Sequence, residues 1–210
     1  DRARPDGPGR RGIDEGNARM KRVTVVATGI ANTASVVAAL GRLGVKADVT
    51  DDADRLRTAG PVVLPGVGAF GAGMTSLRGR NIDGEIASRV REGQPVLAVC
   101  LGMQMLCACS EETPGVAGLG VVDAPVCAFP VEVRTPQFGW NRVEADEKCR
   151  IITTGDAYFA NSYRVTDPPR GWASASATHG GPFVAALERG PALLCQFHPE
   201  LSGAWGLELI

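Results

Sequence analysis

The chain has 210 residues, 44% of them hydrophobic and 21% charged, with 22 Lys and Arg against 23 Asp and Glu. That length corresponds to one ordinary domain able to bury roughly 70% of its unfolded surface, so no disulfide or metal staple is required. A net charge of −1 leaves no electrostatic footprint for nucleic acid, and no apolar run approaches a membrane span, so both are excluded as the main task.

Residues 1–19 are mostly Gly, Pro, Arg and acids, with Ile13 the only large apolar side chain. Such a segment cannot bury enough surface to offset its ordering entropy. It is expected to be a disordered extension, with one domain over 20–210 beginning at Met20. Val23–Ala27 is a β-branched run, followed by Gly29 and a helical stretch, Thr33–Leu43, closed by Gly44. Val45–Val49 reads as a second strand and Pro61–Leu64 as a third. A Gly-rich loop, Leu64–Met74, follows that third strand. Gly84–Glu92 reads as a helix ended by Gly93, and Val96–Val99 as a fourth strand running straight into a helix over Leu101–Cys109. Strands alternating with helices at this spacing imply βαβ units around a parallel sheet, whose carboxyl edge binds ligands. After Gly115 the texture changes to short β-like segments ending at Ala192–Phe197, and Ser202–Ile210 reads as a last helix capped by Ser202. The expected fold is α/β: an open, mixed, mainly parallel sheet flanked by helices, with a β-rich C-terminal half.

Six cysteines are present, at 100, 107, 109, 127, 149 and 195. Cys107 and Cys109 form C-x-C without a second cysteine or histidine cluster to complete a zinc site. Reduced thiols in a cytoplasmic protein are expected, with no metal and no other cofactor.

Three segments carry chemistry. In the first, Pro95-Val-Leu-Ala-Val-Cys100-Leu-Gly-Met-Gln104, an apolar strand delivers a cysteine straight into a helix. This is the layout of a nucleophile elbow, with the small residues Ala98 and Gly102 two positions either side where helix and strand backbones cross. The helix N-terminus would favour a thiolate and, later, an oxyanion. On this segment alone, both a catalytic Cys100 and a buried core cysteine stay open. In the second, Gln196-Phe-His198-Pro-Glu200, a histidine stands at a strand end with an acid two residues on. His198 can take the thiol proton and Glu200 can orient the imidazole. His179, the other histidine, lies in a Gly-rich loop and is the weaker candidate. The third segment, Leu64–Met74, has glycines that let the main chain approach a ligand, and no Gly-Lys-Ser/Thr to grip a phosphate.

Together these segments resemble the class I (triad) glutamine amidotransferases, and more closely the glutaminase subunits of imidazole glycerol phosphate synthases. The resemblance covers about Met20 to Ile210. It rests on Pro65-Gly-Val-Gly-Ala-Phe-Gly-Ala-Gly-Met74, Cys100-Leu-Gly-Met-Gln104, Gly139-Trp-Asn141, Tyr158-Phe-Ala-Asn-Ser-Tyr163 and His198-Pro-Glu200. It implies a flavodoxin-like fold in which Cys100 attacks the side-chain carbonyl of L-glutamine, His198 serves as base and then acid, and Glu200 orients it. Gln104 and Glu112 match positions that hold the bound glutamine. Gly66, Val67, Gly68 and Leu101 would line the substrate and oxyanion pocket, and Ser162 would border it. The resemblance further implies that ammonia passes to a separate (β/α)₈ cyclase subunit of histidine biosynthesis, in a heterodimer that Asn32, Trp140 and Asn141 would face. Glutaminase subunits of this kind are nearly idle until the cyclase binds its nucleotide.

Four positions depart from that pattern: Ala98 for Gly in the elbow, Asn161 for His, Ala31 for Gly, and Leu201 for a polar residue after His-Pro-Glu. None touches the proposed triad. The competing readings are a glutaminase of another class I amidotransferase, a silent regulatory module of the same fold, and a cysteine hydrolase acting on other γ-glutamyl compounds.

Overall fold

Runs of β-branched and small apolar residues form the centre of the molecule in a computed structural model, which describes residues 21–210. The expected extension over 1–19 and the start at Met20 lie outside the described residues. Five strands, β1 (Arg22–Val26), β2 (Lys46–Thr50), β3 (Val62–Gly66), β4 (Val96–Cys100) and, from the far end of the chain, β12 (Ala192–Cys195), lie parallel in the order β2-β1-β3-β4-β12. The sheet continues antiparallel through β11 (Pro182–Arg189), β10 (Ala173–Thr178), β7 (Gln137–Ala145) and β8 (Gly155–Asn161). The nine-stranded sheet therefore divides into a parallel α/β half and the β-rich C-terminal half. A small second sheet joins β5 (Cys109–Ser110), β6 (Pro125–Ala128) and β9 (Tyr163–Arg164).

The strands β3 and β4 are buried almost throughout because helices cover both faces. These are α1 (Thr33–Arg42), α2 (Ala53–Thr58), α3 (Phe70–Gly79), α4 (Asp83–Arg91), α5 (Leu101–Met105) and α6 (Gly203–Glu208). One core lies between Val62, Leu64, Val96, Ala98 and the apolar faces of α3, α4 and α5. A second, with Phe159, Phe183 and Phe197 in edge-on contact, fills the antiparallel half. Arg89, almost wholly buried, donates to the carbonyls of Leu56, Ala59 and Gly60 and so satisfies the end of α2. Among the described residues no helix is long and apolar enough to cross a membrane.

Three local expectations need correction. The Gly-rich stretch is only partly a loop: Phe70–Met74 already belongs to α3, since once Gly66–Ala69 has turned the chain, Phe70, Met74 and Leu77 present a buried helical stripe. The helix after Cys100 ends at Met105, because Leu106 and Cys107 close its last turn and Cys109 enters a strand. Ser202 precedes α6 without capping it through its side chain, whose hydroxyl is taken by His198 O and the Tyr158 N–H.

The crossing of α5 over β3 depends on Gly102, where a Cβ would overlap the Leu64 carbonyl. Gly102→Ala is therefore expected to destabilise the fold by about 1–3 kcal/mol or more. Gly84→Ala, in open space on α4, should be neutral or mildly stabilising. Urea-unfolding midpoints of the two variants check the contrast.

Candidate active site

The chain turns most sharply at the end of β4. Cys100 has φ +53° and ψ −110°, and apart from Asn81 it is the only non-glycine residue at positive φ among the described residues. A backbone held there costs on the order of 1–3 kcal/mol and persists where the surroundings over-determine it. The turn aims the thiol out of the strand end while α5 starts at Leu101, so first-turn N–H groups without intrahelical partners surround it.

The neighbouring strands deliver the other groups. On one side, β3 pairs Gly66 with Cys100. A Cβ at Gly66 would come within 2.8 Å of the Gly102 nitrogen, so only glycine lets the backbone lie this close. The Val67 N–H is tied to Ile30 O at 3.2 Å, and Gly68 follows at φ +93°. On the other side β12 runs parallel to β4 and passes into His198 after two residues. The His198 N–H donates to Tyr158 O at 2.9 Å, and a 3₁₀ turn over Pro199–Leu201 folds Glu200 back beneath the ring. His198 Nδ1 and Glu200 Oε1 are 2.9 Å apart, with both side chains buried. Burial alone would push the imidazole down, but hydrogen bonding to Cys100 and Glu200, and their charges, raise it to about 10. The arrangement favours an imidazolium facing the sulfur.

These groups open into a cavity of about 250 Å³. Of the expected residues, Val67, Gly68, Cys100, Leu101, Gln104, Glu112, Ser162 and His198 all line it; Gly66 and Glu200 stand directly behind. Glu112 approaches from the loop after β5, where one carboxylate oxygen accepts the Phe70 N–H at 2.6 Å. Ala160, Asn161 and Tyr163 complete the wall. Asn161 is buried, donates to Tyr163 O at 3.0 Å and has no partner for its own carbonyl oxygen. It is therefore part of the cavity rather than of an outer surface.

The three residues expected to face a partner lie outside the cavity. Asn32 caps α1, accepting the Ser35 N–H at 3.3 Å, and borders a small crevice behind His198 and Glu200. Trp140 is 60% exposed and packs edge-on against Tyr158. Asn141 spends its amide within the sheet, donating to Thr178 O and accepting from the Arg142 N–H. His179, far less enclosed than His198, bonds Arg134 O.

Sequence reasoning assigned no role to Gln196. It is wholly buried, with its Nε2 3.7 Å from Cys100 Sγ. The available signal was its position at the end of a strand that runs beside the strand of Cys100, a pairing that only the topology reveals.

The chain matches the family model "Glutamine amidotransferase class-I" over residues 24–206. It is 38% identical over 195 residues to "Imidazole glycerol phosphate synthase subunit HisH" of Symbiobacterium thermophilum, covering 91% of this chain and 92% of the relative. The protein of the same name from Methanothermobacter thermautotrophicus is 34% identical over 191 residues, covering 90% and 95%. Among solved structures, a glutamine amidotransferase superposes with a TM-score of 0.71 at 23% identity, covering 89% of this chain and 97% of the other.

Proposed function

The chain belongs to the class I glutamine amidotransferase family, and from that membership we propose that it is the glutaminase subunit of an imidazole glycerol phosphate synthase. It hydrolyses L-glutamine to glutamate and ammonia and hands the ammonia to a (β/α)₈ cyclase subunit in histidine biosynthesis. The observation that carries this reading is Cys100 at positive φ, beside the buried His198–Glu200 pair and opening into a cavity. A cavity of about 250 Å³ lies just below the ~300–1,000 Å³ of pockets for drug-sized ligands, which suits an amino acid.

In this mechanism the Cys100 thiolate attacks the side-chain carbonyl carbon of glutamine. The oxyanion that forms is met by the Leu101 N–H at the start of α5 and by the Gly68 N–H. His198 then gives its proton to the departing nitrogen, the C–N bond breaks, and ammonia leaves behind a glutamyl thioester. A water attacks the thioester and passes a proton to His198. The C–S bond breaks with its electron pair on sulfur, and glutamate is released. Glu200 keeps the imidazole in register through both halves. Glu112 and the carbonyl oxygen of Gln104 are the acceptors on the cavity wall suited to the substrate ammonium. Phe138 and Trp140, 72% and 60% exposed on β7, form with Tyr158 an aromatic patch that suits the partner-facing side.

The reading has a genetic test. A histidine-requiring strain lacking its glutaminase subunit, given this chain with the matching cyclase, should grow without histidine. Failure to grow with both proteins soluble would overturn the proposal.

The state of His198 sets the pH dependence. Its proton is needed on the leaving nitrogen, and the folded site keeps that proton up to about 10. With glutamine well below saturation, kcat/KM should therefore hold through neutral pH and fall as pH rises through about 10, roughly tenfold per further unit. Alkylation of Cys100 by iodoacetamide, which needs thiolate and no acid, should not fall over the same range. Parallel decline of both would remove His198 from the role of acid.

A further inference from the structure

The sulfur of Cys100 has a neighbour that the mechanism above leaves unused. Cys195 pairs with Val99, so Gln196, the next residue, stands beside the elbow with its Nε2 3.7 Å from Cys100 Sγ. A side-chain amide can present either end to a neighbour, and here the surrounding groups decide which. Tyr163 O can only accept, so it fixes the Gln104 Nε2 that donates to it at 3.3 Å. The same Nε2 donates at 2.9 Å to Gln196 Oε1, which turns the Gln196 amide hydrogens towards the thiol. Asn161 Nδ2 donates to Tyr163 O as well, at 3.0 Å, so the anchoring carbonyl is held from two sides.

We propose that Gln196 is a further catalytic residue, whose side-chain N–H donates to the Cys100 sulfur whenever that sulfur carries charge. Its consequence for turnover rests on the glutaminase reading; the N–H···S contact does not. The sulfur is charged twice per cycle, before it attacks the amide carbon and again when the thioester C–S bond breaks and the electron pair returns to it. In the thioester between these points the sulfur is neutral and the contact slackens. Without the donor, a thiolate only 7% exposed would have His198 as its sole side-chain partner among the described residues. Hydrogen bonds to charged groups are about twice as strong as neutral ones, so the donor favours thiolate over thiol by about tenfold or more.

The test compares the full chain with Gln196→Leu and Gln196→Glu, following iodoacetamide alkylation of the Cys100 peptide between about pH 6 and 10. Glutamate keeps the bond from Gln104 but sets an acceptor against the sulfur. The other titratable groups facing the thiol are His198, backed by Glu200, and Glu112 on the cavity wall, all unchanged. On the acid limb of the profile, wherever it falls, Cys100 should react about tenfold more slowly in Gln196→Leu and more slowly still in Gln196→Glu. Both deficits should close as pH rises and every form becomes thiolate. A residue that merely fills space would leave the pH profile where it is. An unchanged profile in either folded variant overturns the proposal. Should neither variant fold, the unaltered protein decides: the side-chain amide proton signals of Gln196 should shift when Cys100 is alkylated, and unshifted signals overturn the contact. If the unaltered protein in complex with the cyclase and its nucleotide releases no ammonia, the glutaminase reading fails while the alkylation profile still decides the role of Gln196.

Discussion

Replacing Cys100 with alanine should abolish ammonia release from glutamine, lowering it by at least about 10⁴-fold, while leaving the fold in place. Removing the nucleophile of an acyl-transfer site costs as much as removing its partners with it, since the units act together. The stability cost should be about 1 kcal/mol or less, because one sulfur atom is lost and alanine keeps the same backbone strain. The other thiols on this side of the molecule supply the control. Cys107 is fully buried, donates to Met103 O, and is pushed by burial up to about 12, so it is not a nucleophile at neutral pH. Cys109 is exposed on β5 and does not line the cavity. Cys107→Ala and Cys109→Ala should keep their ammonia release. A loss in either as complete as that of Cys100→Ala would move the nucleophile elsewhere.

The second large effect concerns the partner. The isolated chain should release ammonia at a rate at least about 10²-fold below that of its complex with cyclase and nucleotide. The structure offers one place for such a gate. The Val67 N–H donates to Ile30 O at 3.2 Å, and a peptide flip within Gly66-Val67-Gly68 would exchange a carbonyl for an N–H towards the cavity. Gly68, at φ +93°, accepts either orientation without a Cβ penalty. A missing oxyanion donor is worth roughly 10²–10³ in rate, enough for a modest shift of population to act as a switch. Gly68→Pro would confuse the test, because proline cannot adopt this φ and would distort the loop as well as remove the N–H. Gly68→Ala, which keeps the N–H but disfavours positive φ, should reduce the activation by cyclase while leaving cyclase binding measurable. Comparable ammonia release with and without the partner would contradict the gate.

The parts of this site that the sequence made legible are those fixed by local chemistry. A strand running into Cys-Leu-Gly, a histidine and an acid two residues apart at a strand end, and closely spaced glycines each dictate a backbone shape by themselves. The structure brings all three to one sheet edge, with Gly66 paired to Cys100. What stayed hidden depends on pairings between distant segments. Gln196 reads as one more polar residue until β12 is seen to lie beside β4. Asn161 reads as one more departure from the expected pattern until its amide is found inside the cavity wall. The helices α2 and α3 escaped because six residues of Ala-Asp-Arg-Leu-Arg-Thr give too short a period, and because Gly71, Gly73 and Gly79 mask a stripe carried by Phe70, Met74 and Leu77. Gly71 and Gly73 are demanded by packing rather than by a turn, since a Cβ at either would press on Thr113 or Met105.

In this mechanism Cys100 carries the glutamyl group between the two halves of the reaction. Acid quenching of the working complex with glutamine, followed by peptide-resolved mass spectrometry, tests it most directly. One glutamyl group in thioester linkage is expected on the Cys100 peptide, discharged by hydroxylamine and absent from Cys100→Ala. Ammonia release with the adduct on another residue, or with steady turnover in Cys100→Ala, would contradict it.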